Sequence, residues 1–217
     1  MSIRKVPVTI VTDTICPWCY IGKKRFESAV TQYKAKNEHI EFEISYQPFQ
    51  LDSTLPKEGI SKLGHYHKKF GKDRFDQMNV HVKNIGAALG INFSYGGLIG
   101  NSLDSHRLVK YAGTVSNEAQ NKVINSLYKS YFEQEENIAD VEVLVKAGKA
   151  GGLDEKVVRE QIVGGDLLKA ETLQAVEDVH ASGVTGVPFF IIDNKFAISG
   201  GQEPETFMKV FDRALAA

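Results

Sequence analysis

The sequence has few cysteines, no long apolar run and almost no net charge. Its 217 residues include two cysteines, so the second Cys pair that a structural zinc site would need is missing. The formal net charge of -1 at pH 7 provides no electrostatic basis for binding nucleic acid or an anionic membrane. No apolar stretch approaches membrane-spanning length, and the N-terminal residues lack the apolar core of a signal peptide. We therefore expect a cytoplasmic protein with no nucleic-acid or membrane partner.

The two cysteines lie three positions apart, in Cys16-Pro17-Trp18-Cys19. The β-branched run at residues 8–11 predicts a buried strand, and apolar positions at helical spacing predict a helix that follows, to about residue 36. The Cys-x-x-Cys pair therefore lies where a strand ends and a helix begins. In a reducing compartment, such a pair is more typical of a catalytic dithiol than of a structural disulfide. A zinc half-site and two inert core thiols are the alternatives.

The start of the predicted helix indicates how the cysteines would react. Backbone N–H groups there lack partners and carry a partial positive charge, which stabilises a thiolate at Cys16. Pro17 suits the first helical turn, because its missing N–H costs nothing there. Cys19 lies about one turn further along, within reach of a short disulfide. We therefore expect Cys16 to be an exposed nucleophile and Cys19 to be a shielded resolving thiol.

The first and last parts of the chain predict a mixed sheet. The predicted strands are 7–12, 40–46, 189–192 and 196–199, and the predicted helices are 17–36 and 204–216. The first two strands and the helix between them should form a parallel βαβ unit with a right-handed crossover. The last two strands, joined by the turn at 193–195, should form an antiparallel hairpin.

Strand signals nearly vanish in the middle of the chain. Helices are predicted there at 65–89 with a break near Gly71, from 101 or 102 to 112, and at 117–134, 140–150, 154–163 and 166–182, with a glycine-rich loop at 90–100. A block of this length is too long for a loop, so it should be an insertion. The sequence thus predicts an α/β domain from residues 1–59 and 166–217, with an inserted helical subdomain at 60–165.

Two motifs, together with the order of the elements, carry a family resemblance. One is Asp13 to Cys19 between a strand and a helix, and the other is Gly-Val-Thr-Gly-Val-Pro at 183–188 before the hairpin. The chain resembles the DsbA-like thioredoxin superfamily, and within it the cytosolic FrnE-type branch. That branch is similar in turn to kappa-class glutathione transferases and 2-hydroxychromene-2-carboxylate isomerases. The resemblance implies a thioredoxin-like α/β fold with a large inserted helical subdomain.

The resemblance also implies roles for individual residues. Cys16 matches the attacking thiol and Cys19 the thiol that resolves the mixed disulfide. Pro188 matches a cis-proline that faces the disulfide and leaves the backbone of Val187 free to pair with a bound peptide or glutathione. The alternative for Pro188 is an ordinary proline at the start of a strand. Pro17 and Trp18 would then form part of a contact surface for substrate, although a partly packed Trp18 ring is an equal alternative.

Further positions of the relatives map onto this chain. Kappa-class and isomerase relatives carry serine where Cys16 stands, so the presence of both thiols favours thiol–disulfide chemistry. Gly201 and Gln202 match the positions that hold the γ-glutamyl end of glutathione, without the usual serine and aspartate. Asn101 begins a helix whose counterpart lines the cleft. Asp13 would either form a turn or relay a proton from Cys19, and the turn is favoured.

The sequence therefore predicts a protein thiol–disulfide oxidoreductase of DsbA-like type. A glutathione-dependent transferase or isomerase is the alternative, and a non-catalytic, redox-sensitive binding protein is a third reading. No cofactor or metal is expected to be required, and glutathione is a candidate co-substrate. The expected partner is a thiol or disulfide, in a protein or in glutathione, and a homodimer is a candidate because relatives often dimerise.

Overall fold

The computed structural model describes residues 3–216. The strands are β1 (Arg4–Thr12), β2 (Ile40–Pro48), β3 (Ile60–Ser61), β4 (Leu98–Ile99), β5 (Phe189–Ile192) and β6 (Phe196–Ser199). The helices are α1 (Pro17–Lys34), α2 (Lys62–Phe70), α3 (Lys72–Ala88), α4 (Leu103–Val115), α5 (Asn117–Glu133), α6 (Val141–Ala150), α7 (Lys169–Ala181) and α8 (Pro204–Leu215). A π-helical segment, Val157–Val163, lies between α6 and α7. Residues 1, 2 and 217, which the predicted domain bounds include, lie outside the described residues.

Within the described residues, a four-stranded mixed sheet has the order β2-β1-β5-β6. Strand β1 pairs with β2 in parallel, from Arg4 opposite Ile40 to Thr12 opposite Pro48, so the predicted βαβ unit is confirmed. Strand β5 is antiparallel to both β1 and β6. The predicted hairpin is also confirmed, and Asp193 and Asn194 in its turn have φ values of 54° and 53°, as hairpin turns require.

The helical block departs from the prediction in three places. The expected loop at 90–100 contains β4, which pairs with β3 over two residues. The expected helix at 154–163 is π-helical over Val157–Val163. The last helix before the hairpin begins at Lys169 rather than at residue 166, and Leu168 before it has φ 56°. The carbonyls of Gln161, Gly165 and Leu167 accept hydrogen bonds from the buried Arg107 guanidinium. A side chain, rather than a continued α-helix, therefore holds the backbone of this segment.

An aromatic cluster fixes α1 against the sheet and α8. The ring centroids of Phe26 and Phe190 lie 5.5 Å apart, and those of Phe26 and Phe207 lie 5.4 Å apart, in edge-on contact. All three side chains are fully buried, and such aromatic pairs stabilise beyond the area they remove from water. On the other side of α1, Tyr20 stacks on Tyr128 of α5 with centroids 5.0 Å apart. Helix α1 is thus held between the sheet and the helical block.

The thioredoxin-like α/β fold with a large helical insertion is therefore confirmed. The exact domain limits at 59/60 and 165/166 stay a prediction. Among residues 3–216 there is no helix that combines the length and the apolar character needed to cross a membrane.

Lys62 at the start of α2 leads to a prediction about stability and pH. Its side chain is fully buried, its Nζ donates to the Tyr131 carbonyl at 2.7 Å, and the Nζ lies 3.8 Å from the Tyr131 ring centroid. Burial lowers the pKa of Lys62 to about 8. The folded protein therefore loses this proton first as pH rises, and the unfolded chain keeps it up to its ordinary pKa. The unfolded state then binds more protons, so this group makes the protein more stable as pH rises above about 8.

The quantity to compare is the free energy of unfolding of the wild type minus that of Lys62→Met. We expect this difference to rise by about 2 kcal/mol between about pH 7 and 9.5. Urea unfolding with both thiols kept reduced measures this difference, and the subtraction removes the titration of tyrosines and thiols. The exposed Lys83 of α3 provides the control, since Lys83→Met should leave the pH dependence of the wild type unchanged. A difference that stays flat or falls with pH would contradict the prediction.

Candidate active site

The two cysteines lie at the start of α1, where the sequence places them. Cys16 is the residue before the helix, with extended backbone angles (φ -91°, ψ 115°), and Pro17 is the first helical residue. The Cys16 carbonyl accepts from the Cys19 N–H at 3.1 Å and so begins the helical bonding. Both thiols are free, and the two cysteines lie 3.5 Å apart. Two cysteines this close in space are within reach of a disulfide.

Cys16 is less exposed than expected. Its exposed fraction is 5%, so the expectation of an exposed nucleophile is wrong. Side chains from α2 and α3, together with the first turn of α1, line a partly open cavity beside Cys16. The Cys16 Sγ–H also donates to the Val187 carbonyl at 3.6 Å. Substrate must therefore reach Cys16 through this cavity, or after the covering helices move.

Cys19 is shielded, as expected, with an exposed fraction of 1%. Burial raises the pKa of Cys19 well above its ordinary value, and the neighbouring Cys16 raises it further. Hydrogen bonds from the Thr12 side chain and the Asp13 backbone act in the opposite direction. At neutral pH Cys19 is therefore a thiol and not a thiolate in the reduced protein.

The Val187–Pro188 peptide bond is cis, as the resemblance implies. Pro188 is buried and packs directly on α1, because a Cβ added to Gly22 would lie 2.9 Å from Pro188 Cγ. Gly201 likewise lies against α1, where an added Cβ would come within 3.1 Å of the Trp18 carbonyl oxygen. Two glycines thus let the cis-proline loop and the chain after β6 approach the cysteine turn closely.

Asp13 fastens the loop before the cysteines. Its carboxylate is fully buried and accepts from the Leu51 N–H at 2.7 Å and from the Ile15 N–H at 3.4 Å. The third partner is His106 of α4, whose Nε2 lies 3.2 Å from the same carboxylate. These contacts match the structural reading of Asp13, in which it shapes the turn.

The cavity beside Cys16 has a volume of about 360 Å³ and is mostly apolar. Cys16, Pro17, Trp18 and Val187 form one side of it. The other lining residues are Ile15, Leu51, Asp52, His65, Tyr66, Lys69, Phe70, Phe75, Met78, Asn79, Val82, Tyr95 and Ile99. A volume of this size holds a small organic group or one large side chain rather than a folded protein surface.

The wall of the cavity is nearly uncharged at neutral pH. Burial, with Lys69 nearby, lowers the pKa of His65, so its ring is neutral there. Burial also raises the pKa of Tyr66 and Tyr95 well above the ordinary value, so both keep their hydroxyl protons. A hydrogen bond from Thr54 lowers the pKa of Asp52, which is therefore ionised. Apart from Cys16, the charged side chains of the lining are thus Lys69 and the ionised Asp52.

Three residues predicted to bind substrate lie away from the cavity lining. Asn101 donates to the carbonyls of Ser53 and Leu55 at 2.9 and 3.0 Å, so it holds the loop before β3. The Gly201 carbonyl accepts from Arg25 at 2.6 Å, and Gln202 is exposed and donates to Ser199 within its own turn. Their role in binding stays a prediction.

Sequence reasoning missed the far wall of the cavity and the partner of Asp13. Tyr66, Phe75 and Val82 come from α2 and α3, and Tyr95 follows them. The sequence signal of these residues is apolar side chains at helical spacing. An ordinary core helix shows the same pattern, so the pattern does not indicate a cavity wall. His106 lies 93 positions from Asp13, and no local pattern indicates that the two would meet.

Comparison with known proteins agrees with this geometry. Residues 7–212 match the model of the DSBA-like thioredoxin domain. The chain belongs to this family. A solved structure of a probable DsbA oxidoreductase from Streptomyces coelicolor is 27% identical, with a TM-score of 0.87 over 97% of this chain and 90% of that one. The DsbA-like family acts on thiol or disulfide substrates, in a general oxidoreductase or isomerase role.

Two more distant structures share the DsbA-like fold. A 2-hydroxychromene-2-carboxylate isomerase is 14% identical, with a TM-score of 0.67 over 95% of each chain. The cytosolic disulfide reductase DsbM from Pseudomonas aeruginosa, solved with GSH, is 15% identical, with a TM-score of 0.66 over 97% of this chain and all of that one (100%). Both belong to the groups of relatives expected from the sequence, and the resemblance to a DsbA-like protein is confirmed.

Proposed function

We propose that this DsbA-like protein is a thiol–disulfide oxidoreductase that cycles between a Cys16/Cys19 dithiol and a disulfide. The observation that carries the proposal is the pair of free cysteines, 3.5 Å apart, at the start of α1. Cys16 attacks a substrate disulfide and forms a mixed disulfide. Cys19 then attacks Cys16 and releases the reduced product, and dithiol oxidation is the reverse.

The surroundings of the thiols support this cycle. Cys16 borders the cavity, whereas Cys19 lies behind it, so a substrate sulfur meets Cys16 first. We infer that Val187 and the cis Pro188 border the bound substrate, because the Val187 carbonyl already accepts from Cys16. Pro17 and Trp18 line the same cavity and would contact the substrate.

The remaining chemistry follows from the dithiol. We propose that no cofactor is required, since the two sulfurs carry both electrons, and that glutathione serves as a co-substrate. A cytoplasmic location fits a catalytic dithiol, because that compartment keeps thiols reduced. The glutathione-dependent transferase or isomerase is the second candidate, and the mostly apolar cavity beside Cys16 is the observation that favours it. Under that reading Cys16 holds or activates glutathione, and Cys19 is dispensable. The homodimer stays a prediction.

The test uses Trp18, the single tryptophan of the chain, which lies between the cysteines. The protein is equilibrated with mixtures of reduced and oxidised glutathione, and Trp18 fluorescence follows the redox state. We expect one two-electron transition, and mass spectrometry should find the loss of two hydrogen atoms with no glutathione attached. Protein alkylated at both thiols is the control, and its fluorescence should not change. A stable single glutathione adduct without an intramolecular disulfide would contradict the proposal and favour the alternative.

A further inference from the structure

Four residues on one face of α3 line the cavity beside Cys16. Phe75, Met78, Asn79 and Val82 occupy positions i, i+3, i+4 and i+7, which lie on the same side of a helix. Three of the four are apolar, and Phe75 and Val82 are only 3% and 5% exposed. A helix face that only completes a core is apolar at all such positions. The amide of Asn79 in the middle of this face therefore needs a separate explanation.

The Asn79 side chain has an unused hydrogen-bond acceptor. Its Oδ1 is buried, and within residues 3–216 no donor contacts it. A buried polar atom without a partner costs free energy, and most such atoms in proteins are paired. A bound molecule that brings an N–H or O–H group into the cavity would satisfy this oxygen. Because Cys16 lines the same cavity, that molecule is the one whose sulfur reacts.

The wall around Asn79 is aromatic. The rings of Phe75 and Tyr66 stack with centroids 5.1 Å apart, and those of Phe75 and Tyr95 lie edge to face at 5.2 Å. A cavity of about 360 Å³ with such a wall suits an aromatic or large aliphatic side chain, which gains free energy on leaving water. A carboxylate would lose its hydration there, and at neutral pH Lys69 is the one cation that the described lining offers it.

We propose that the substrate of the dithiol cycle is a peptide disulfide in which an aromatic or large aliphatic residue adjoins the cysteine, and that Asn79 recognises this residue. Its side chain fills the cavity, and its backbone N–H donates to Asn79 Oδ1. A side chain and the N–H of the same residue are joined to one Cα, so one residue can supply both contacts. This inference rests on the dithiol cycle proposed above and names its substrate class.

The reaction conserves atoms and electrons. The Cys16 thiolate attacks one sulfur of the peptide disulfide, a bond between them forms, and the first peptide leaves as a thiolate. Cys19 then loses its proton and attacks Cys16, so that the Cys16–Cys19 bond forms and the second peptide leaves. The two protons of the protein thiols end on the two peptide thiols. The cysteines lose two electrons and the peptide disulfide gains two. Asn79 binds the peptide and transfers no proton.

The experiment uses homodisulfides of short capped peptides, N-acetyl-Cys-Xaa-amide, as probes. Reduced protein is mixed with an excess of each disulfide, and Trp18 fluorescence gives the second-order rate constant of protein oxidation. Rates with dithiothreitol in place of the protein correct for intrinsic reactivity. We expect the disulfide with Phe as Xaa to react about tenfold to a hundredfold faster than the one with Glu. A third probe has an ester oxygen in place of the Phe N–H, and it should react about threefold to tenfold more slowly than the Phe amide.

Two variants of α3 test the role of Asn79. Asn79→Leu keeps the size of the side chain and removes the acceptor, so it should react with the amide and ester probes at equal rates. Asn84→Leu is the matched control, because Asn84 is exposed on the same helix and lies outside the cavity lining. It should distinguish the amide from the ester as the wild type does.

Each outcome decides between the two proposals. If the wild type reacts equally fast with the Phe and Glu disulfides, the proposed substrate class is overturned. The role of Asn79 is overturned if the wild type does not distinguish the amide from the ester, or if Asn79→Leu still does. If neither these probes nor hydroxyethyl disulfide convert the wild type to the Cys16–Cys19 disulfide, the dithiol cycle fails instead. Oxidation by hydroxyethyl disulfide but not by the Phe disulfide would leave the cycle in place and overturn the substrate class.

Discussion

Cys16→Ser should reduce turnover of a disulfide substrate by at least about 10³-fold, to the uncatalysed rate. A serine hydroxyl does not attack disulfide sulfur. The only other cysteine of the chain is Cys19, and it cannot replace Cys16 because it is buried and burial raises its pKa. Cys19→Ala should behave differently. Its Cys16 can still attack, but the mixed disulfide has no second thiol to resolve it, so substrate should accumulate on the enzyme.

Reduction of insulin, followed with dithiothreitol as the final reductant, measures turnover of the two variants. A gel without reducing agent, or mass spectrometry, measures the trapped mixed disulfide. We expect no adduct with Cys16→Ser and an adduct that dithiothreitol reverses with Cys19→Ala. Full activity of Cys16→Ser would rule out the proposed mechanism. Undiminished, glutathione-dependent turnover by Cys19→Ala would instead support the transferase or isomerase alternative, in which one thiol is sufficient.

The part of the site that could be predicted from sequence is local in the chain. A strand, a Cys-x-x-Cys and a helix follow one another within about thirty residues, so the position of both thiols at the start of a helix could be predicted, whereas the expected exposure of Cys16 was wrong. The structure places Cys16 directly before the first helical residue and buries Cys19, as predicted. The cis bond before Pro188 came from the family resemblance, because about one X-Pro bond in twenty is cis and local sequence rarely reveals which.

The remaining part depends on contacts between distant segments. Tyr66 and Tyr95 line the same cavity as Cys16 only because the fold brings α2, and the segment after α3, next to the start of α1. His106 reaches Asp13 across 93 positions, and Tyr128 reaches Thr12 across 116. Apolar or hydroxyl side chains at helical spacing are equally typical of a plain core. Single-sequence patterns therefore indicate the reacting sulfurs but not the walls that select a substrate.

The largest effect on stability should come from Arg107→Met. The guanidinium is 2% exposed and donates to Asp104 at 2.8 Å and to the carbonyls of Gly165 and Leu167 at 2.8 and 3.0 Å. Asp104 is equally buried. Removal of the cation would leave a buried carboxylate with a single charged partner, Lys57, and several carbonyls without donors. We expect a loss of about 3–5 kcal/mol in the free energy of unfolding, measured by urea denaturation.

Arg159→Met is the matched control, because it removes the same side chain from an exposed ion-pair network with Glu142 and Glu155. Water and salt already screen those charges, so its loss should be much smaller. Equal losses in the two variants would contradict the prediction. Arg107 bonds within α4 and to the segment before α7, and neither segment contributes a residue to the lining of the Cys16 cavity. The folded fraction of Arg107→Met should therefore react with a disulfide probe at the rate of the wild type. Stability and thiol chemistry thus depend on separate contacts, and a variant that lost both together would show that the helical block transmits strain to the cysteines.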